Sequence, residues 1–169
     1  ISMMNPDINN RYIQLVFGHI AIGLVIYFFN PVAKIYFIGL LVYFLWRIVF
    51  SGSERRTIEI LTACAYFSGA EVLFRMTDGG LSYEASKYLV ILFMIMGMFY
   101  KGISGKGYPY FIYLILLVPA IVVASMTLSF DARFRTNIAF VLSGPVCLGI
   151  ATLFCYDRKL RHNQLLDVL

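Results

Sequence analysis

The chain has 169 residues, of which 60% are hydrophobic and only 14% charged, with a mean hydropathy of +0.80, whereas an ordinary soluble domain carries about 25% charged residues. A soluble globular fold, a disordered chain and a collagen-like chain are excluded on that composition. The net charge of +5 does not point to nucleic acid, because the basic residues flank hydrophobic runs as they do beside membrane spans.

A spanning helix needs about 20 mostly apolar residues to cross about 30 Å of hydrocarbon. The apolar runs divide into Tyr12 to Phe29, Val32 to Phe50, Thr57 to Phe74, Glu84 to Tyr100, Pro109 to Leu128 and Asn137 to Tyr156. An all-α polytopic membrane bundle of about six transmembrane helices is expected, forming one domain over residues 1–169. Asn30-Pro31 punctuates the first break and puts a proline in the first turn of the next helix. Ser51-Gly52-Ser53 marks the second, with Ser53 or Thr57 as N-cap candidates. Asp78-Gly79-Gly80, the stretch from Gly102 to Gly107, and the stretch from Ser129 to Thr136 mark the others, none long enough for a folded extramembrane domain. Pro119 and the Ser143-Gly144-Pro145 group interrupt apolar runs and bend a helix there. Ala65 with Gly69, and Ala120 with Ala124, have the small-xxx-small spacing of close helix contacts.

The third run carries Glu59, Thr62, Ser68 and Glu71 and is the least suited to lipid, but the charge asymmetry of the chain bears on it. With six spans, Arg11, Arg47, Arg55, Arg56, Lys101, Lys106, Arg158, Lys159 and Arg161 fall on one side, and Lys34, Arg75, Lys87, Arg133 and Arg135 on the other. Omitting the third run narrows the split from nine against five to eight against six. The positive-inside rule therefore favours six helices with both ends cytoplasmic. Tyr12, Trp46, Tyr100, Tyr108, Tyr110 and Tyr156 near the run ends match an interfacial aromatic belt. The opening at Ile1 and the stop at Leu169 just after a basic turn point to a segment of a longer protein, and nothing at the start reads as a cleavable signal.

Candidate chemistry concentrates in residues 69 to 87. Glu71 and Arg75 are four apart, the orientation that favours an ion pair on one helix face. An ionisable group within a span is a functional candidate, although Arg75 is close enough to the outer interface to snorkel. Across the Gly79-Gly80 turn, Glu84 and Lys87 are three apart, so Glu71, Arg75, Asp78, Glu84 and Lys87 can gather at one outer corner. That corner reads either as a functional site or as a salt-bridge cluster fixing a helix hairpin. Arg133 and Arg135, just before Asn137, can bring two guanidinium forks to a helix start, an arrangement that binds phosphate. Solvated arginines at a membrane border are the alternative.

His19 sits in the first span with no acid or cysteine nearby in sequence and reads as a satisfied or lumen-facing histidine rather than a ligand. Cys64, Cys147 and Cys155 lie in apolar runs without metal-ligand spacing. Met94, Met96 and Met98 read as packing, and GISGKG lacks the spacing of a phosphate-binding loop. The basic tail CYDRKLRHNQ reads as a stop-transfer cluster first and a lipid-binding patch second. No nucleophile triad and no metal spacing is found; neither a metal nor a cofactor is expected.

Two stretches, AYFSGAEVLFRMTDGGLSYEASKYLVIL at 65–92 and RTNIAFVLSGPVCLGIATLFCYDRKL at 135–160, resemble the N-terminal half of the O-antigen ligase and O-antigen polymerase-like membrane proteins. The resemblance is close over about a third of the chain and otherwise lies in helix pattern. It implies a metal-independent transfer of a glycan from an undecaprenyl-pyrophosphate donor to an acceptor on the periplasmic face of the bacterial inner membrane. It also implies that basic residues hold the pyrophosphate, and Arg75, Arg133 and Arg135 are the only positions carried over to that role; the corner read from spacing, Glu71, Asp78, Glu84 and Lys87, would support them. The family's catalytic base belongs to a large periplasmic loop in the C-terminal half, and His19 does not match it, so the segment alone would lack a base. The partners implied are membrane lipid, a polyprenyl-pyrophosphate-linked glycan, and other membrane subunits or the rest of the chain. The alternative is a six-helix non-catalytic subunit or transporter half that binds a partner or an anionic lipid. A solute carrier using Glu71 as a coupling site is a third reading.

Overall fold

The computed structural model describes residues 6–127, 132–156, 158–160 and 168, with the side chains of 6–9, 11, 125, 127 and 132–139 left aside. Every regular element among the described residues is helical. In chain order they are α1 (Pro6–Phe28), α2 (Pro31–Phe50), α3 (Ser53–Gly69), α4 (Glu71–Met76), α5 (Ala85–Lys101), a 3-10 turn (Gly105–Gly107), α6 (Tyr108–Leu116), α7 (Val118–Thr127) and α8 (Ala132–Cys155). Two helical stretches, Pro31–Phe50 and Gly105–Ala124, are long and apolar enough to cross a membrane by length and composition, with mean hydropathies of 1.8 and 2.0.

The borders follow the sequence with four informative differences. α3 starts at Ser53 behind an extended Gly52, so neither Ser53 nor Thr57 is the N-cap. The third run does not continue unbroken to Phe74. α3 stops at Gly69, and a six-residue α4 begins at Glu71, because glycine weakens the helix and an acid in the new first turn favours the restart. The fifth run is likewise split at Leu117, whose N–H turns to the Leu114 carbonyl at 3.2 Å. Pro119 lacks an N–H, and its ring crowds the carbonyl of Ile115, so the regular ladder fails there. α8 begins at Ala132, five residues before the expected Asn137, and runs to Cys155 through Pro145, which removes one backbone bond without ending the helix.

α3 is the central element, packed on α5 and α2, while α5 also packs on α8 and α8 on α6. Between them lies an aromatic core. Phe37 of α2 meets Phe67 of α3 edge-on at 5.6 Å and Phe74 of α4 at 4.9 Å, and Phe67 meets Phe93 of α5 at 5.8 Å. Such pairs add about 0.5–1.5 kcal/mol each beyond burial. That matters in lipid, where helix association depends on packing because lipid tails are as apolar as leucine.

The first small-residue pair makes no close contact. Ala65 and Gly69 are exposed, and a Cβ at Gly69 would meet nothing within 4 Å. The tight seats are Gly97, which lies under the Phe154 ring with Ile60 Cδ1 3.1 Å from a built Cβ, and Gly149, where a built Cβ would stand 2.5 Å from Leu114. Met94 is buried in the core, with Met96 and Met98 packed against it.

The two ends of this bundle differ. At one end, Lys101 donates to Ser53 Oγ at 3.1 Å, Arg56 lies 4.0 Å over the Tyr100 ring, and Arg158 donates to the Gly102 carbonyl at 2.7 Å. Nearby, Arg47 of α2 and the buried Glu59 of α3 pair at 2.5 Å. The α2–α3 connection, the α5–α6 connection and the segment after α8 therefore meet at this basic end. The turn after α4 and the start of α2 meet at the other.

Candidate functional site

The second end is built around the turn between α4 and α5. α4 closes with a backbone bond from Gly79 N–H to the Phe74 carbonyl at 3.0 Å, with Asp78 at φ 50°. This is the left-handed termination of a Schellman motif, occupied by an aspartate where glycine is commonest. Gly79 then seats against α2: a Cβ there would stand 2.7 Å from Ala33 Cβ. The turn is thereby pinned, and it delivers Tyr83 and Glu84 to the start of α5.

Four charged side chains converge there. Arg75 Nη2 stands 2.5 Å from Glu71 Oε1 and 3.0 Å from Glu84 Oε1, and Lys87 Nζ stands 2.6 Å from Glu84 Oε2. Ser143 of α8 donates its hydroxyl to the same Glu84 oxygen at 3.2 Å. Glu84 is only 6% exposed, a state that a carboxylate tolerates when cations and donors surround it. The Arg75 guanidinium lies 4.4 Å over the Tyr83 ring, and Tyr83 stacks on Phe140 of α8.

The structure thus brings together Glu71, Arg75, Glu84 and Lys87 of the expected corner. Asp78 it places apart: the residue is exposed and joins no ion pair among the described residues. Its contribution is the turn conformation. Arg133 and Arg135 fall inside the first turn of α8 rather than ahead of it, and their side chains lie outside those described. Two acids and two bases leave the corner without net charge, and Arg75 spends Nη2 on both carboxylates. Its Nε is buried with no acceptor.

Two partners of the corner went unnoticed in the sequence. Ser143 was legible only as part of a helix-bending group, and Tyr83 only as an aromatic near a turn, since neither has a local signature linking it to Glu84 or Arg75. A third polar assembly also escaped. His19 accepts a hydrogen bond from Tyr66 of α3 at Nε2 at 3.0 Å, and Tyr66 in turn bonds the hydroxyl of Tyr36 on α2. Cys64 is buried, with its thiol 3.8 Å from the Val90 carbonyl. No group of three or more His, Cys, Asp or Glu that could hold a metal occurs among the described residues. Comparison with protein-family models, with curated proteins and with solved structures gave no match to this chain.

Proposed function

We propose that the chain is the six-span N-terminal half of an O-antigen ligase-like glycan transferase in a bacterial inner membrane, with both ends cytoplasmic. Its outer end contributes contacts to an undecaprenyl-pyrophosphate donor through Arg75, Arg133 and Arg135. The observation that supports this reading is the polarity of the bundle. Among the described residues, Arg47, Arg56, Lys101 and Arg158 gather at one end, as cytoplasmic borders require. The ionic corner stands at the other, on the 65–92 stretch that carries the resemblance. A leaving pyrophosphate develops negative charge that fixed cations stabilise in a low-dielectric site, and a donor phosphate entering here would exchange with Glu71 for Arg75.

Replacing Arg75, Arg133 and Arg135 together by glutamine should weaken retention of an undecaprenyl-pyrophosphate lipid by the purified protein while preserving its helical content. Unchanged retention overturns the donor assignment. A cysteine placed at position 133 in a cysteine-free background should react with an impermeant thiol reagent from the periplasm, and one at position 104 should not. Reversed labelling inverts the topology and removes the mechanism with it.

A second reading is favoured by one observation, the engagement of Arg75 by two carboxylates. On that reading the corner is a structural joint in a non-catalytic membrane subunit or transporter half. It expects the Arg75 substitution alone to lower stability, with no effect on lipid retention.

A further inference from the structure

His19 stands eleven residues before Asn30, about 16 Å along a helix axis, which on the proposed six-span topology is near the middle of a hydrocarbon layer about 30 Å thick. Its ring is exposed, yet both nitrogens are satisfied: Nδ1 lies 2.7 Å from the Leu15 carbonyl and Nε2 lies 3.0 Å from Tyr66 Oη. A carbonyl only accepts, so Nδ1 carries the proton. In the neutral ring Nε2 is then an acceptor. Tyr66 must donate to it, which leaves the Tyr66 oxygen to accept from Tyr36. The three groups therefore form a directed chain across three helices, from Tyr36 on α2 through Tyr66 on α3 to His19 on α1. Tyr66 from α3 and, through it, Tyr36 from α2 are the titratable groups that meet His19. Among the described residues no acid or cation bonds to any of the three.

The direction of such a chain is set by the charge of its terminal ring. We propose that Tyr36, Tyr66 and His19 are a proton relay within the membrane, with His19 as the accepting end and Tyr36 as the loading end. A proton arriving at Tyr36 Oη from water or a bound hydroxyl displaces the proton of Tyr36 to Tyr66, and the proton of Tyr66 passes to His19 Nε2. One O–H bond forms and one breaks at each tyrosine, one N–H bond forms at the imidazole, and the donor is left one proton poorer. Both tyrosines end neutral. The imidazolium now donates to Tyr66, Tyr66 donates to Tyr36, and the Tyr36 hydroxyl is turned outward as a free donor.

The loading end is well placed for this. Tyr36 is half-buried with its ring 6.1 Å from Phe74, the neighbour of Arg75 on α4, so charge taken up on a lipid-facing helix is reported beside the ionic corner. This relay is independent of the donor-binding proposal and stands or falls separately.

The test uses the full chain in lipid vesicles, with H162Q leaving His19 as the sole histidine, nitrogen-labelled histidine, and a carbon-labelled tyrosine ring at position 36 alone. At alkaline pH the magnetic resonance spectrum should show Nδ1 protonated and Nε2 unprotonated. As His19 gains its proton, the Tyr36 hydroxyl-bearing carbon should shift with the same midpoint. In Y66F the Tyr36 signal should lose that dependence while His19 still titrates. In H19Q, a change on the exposed face of α1 that answers the same question should Y66F not fold, the Tyr36 signal should be constant with pH. A Tyr36 signal that ignores His19 in the parent chain, or one that still follows pH in Y66F or H19Q, overturns the relay.

Discussion

Ser143, midway along α8, donates its hydroxyl to Glu84 at the start of α5 at 3.2 Å, and the same carboxylate receives Lys87 and Arg75. Among the described residues, Glu84 is thus the one acid that joins α4, α5 and α8. Removing its charge strands Lys87 in a partly desolvated place and leaves Arg75 with Glu71 as its remaining carboxylate, whereas Glu71 pairs, among the described residues, with Arg75 alone. Glu84→Gln is expected to lower stability by about 1–3 kcal/mol. Glu71→Gln, at a more exposed pair, should cost less than about 1 kcal/mol. Reversible unfolding in mixed micelles measures both, and equal losses would contradict the ranking.

The Gly97 seat gives a second expectation. A methyl group there would run into the ring of Phe154, a side chain with no measurable exposure and so no room to retreat. Gly97→Ala should destabilise the bundle by about 1–3 kcal/mol. Phe154→Leu should make the same change less costly, so a double-mutant cycle should return a coupling above about 0.5 kcal/mol. Additive effects would mean that α8 is not seated on Gly97.

Asp78 carries its consequence in the backbone rather than in its charge. With φ at 50°, a β-branched side chain is strained, while asparagine and glycine accept the conformation. Asp78→Asn should leave stability within about 0.5 kcal/mol, and Asp78→Val should cost about 1–2 kcal/mol. A large loss in the asparagine variant would show that the carboxylate has an ionic role after all.

At the basic end, Arg158 holds two carbonyls, Phe154 O at 2.5 Å and Gly102 O at 2.7 Å, with its guanidinium over the Phe154 ring. Burial pulls this guanidinium below its ordinary pKa, but an arginine remains charged at physiological pH. Gly102 adopts φ 71° and ψ −179°, a region essentially restricted to glycine and costing other residues about 1–3 kcal/mol. Arg158→Ala should speed amide exchange across 102–107, with Arg158→Lys intermediate because it keeps the charge and loses the fork. Gly102→Ala should do the same and also lower stability. Unchanged exchange in Arg158→Ala would show that the contact does not hold the loop.

Helix existence was legible from the chain because apolar length and turn chemistry act locally. Pro31 opens α2 as its fixed φ requires, and the Asp78-Gly79 turn ends α4 where expected. Pro119 announced its interruption, although Pro145, of the same residue type, is absorbed within α8. Of the candidate site, the Glu71–Arg75 and Glu84–Lys87 pairs were readable from spacing alone, since helical neighbours at three and four residues share a face. What joins them was not. The bond from Ser143 to Glu84 spans 59 residues, and that from His19 to Tyr66 spans 47, distances over which one sequence carries no periodic trace. The glycines seated between helices were also hidden: Gly97 and Gly149 lie in no small-residue pair, and their role comes from the partner ring or leucine that fills them.

The seat at Gly97 has a bearing on biosynthesis. Its occupant, Phe154, leaves the ribosome only after α6 and α7 have been made, so a nascent α5 must wait beside α3 with an open notch until α8 arrives. α8 is therefore the latch of this bundle, and chains halted before it should expose the open notch to quality-control proteases.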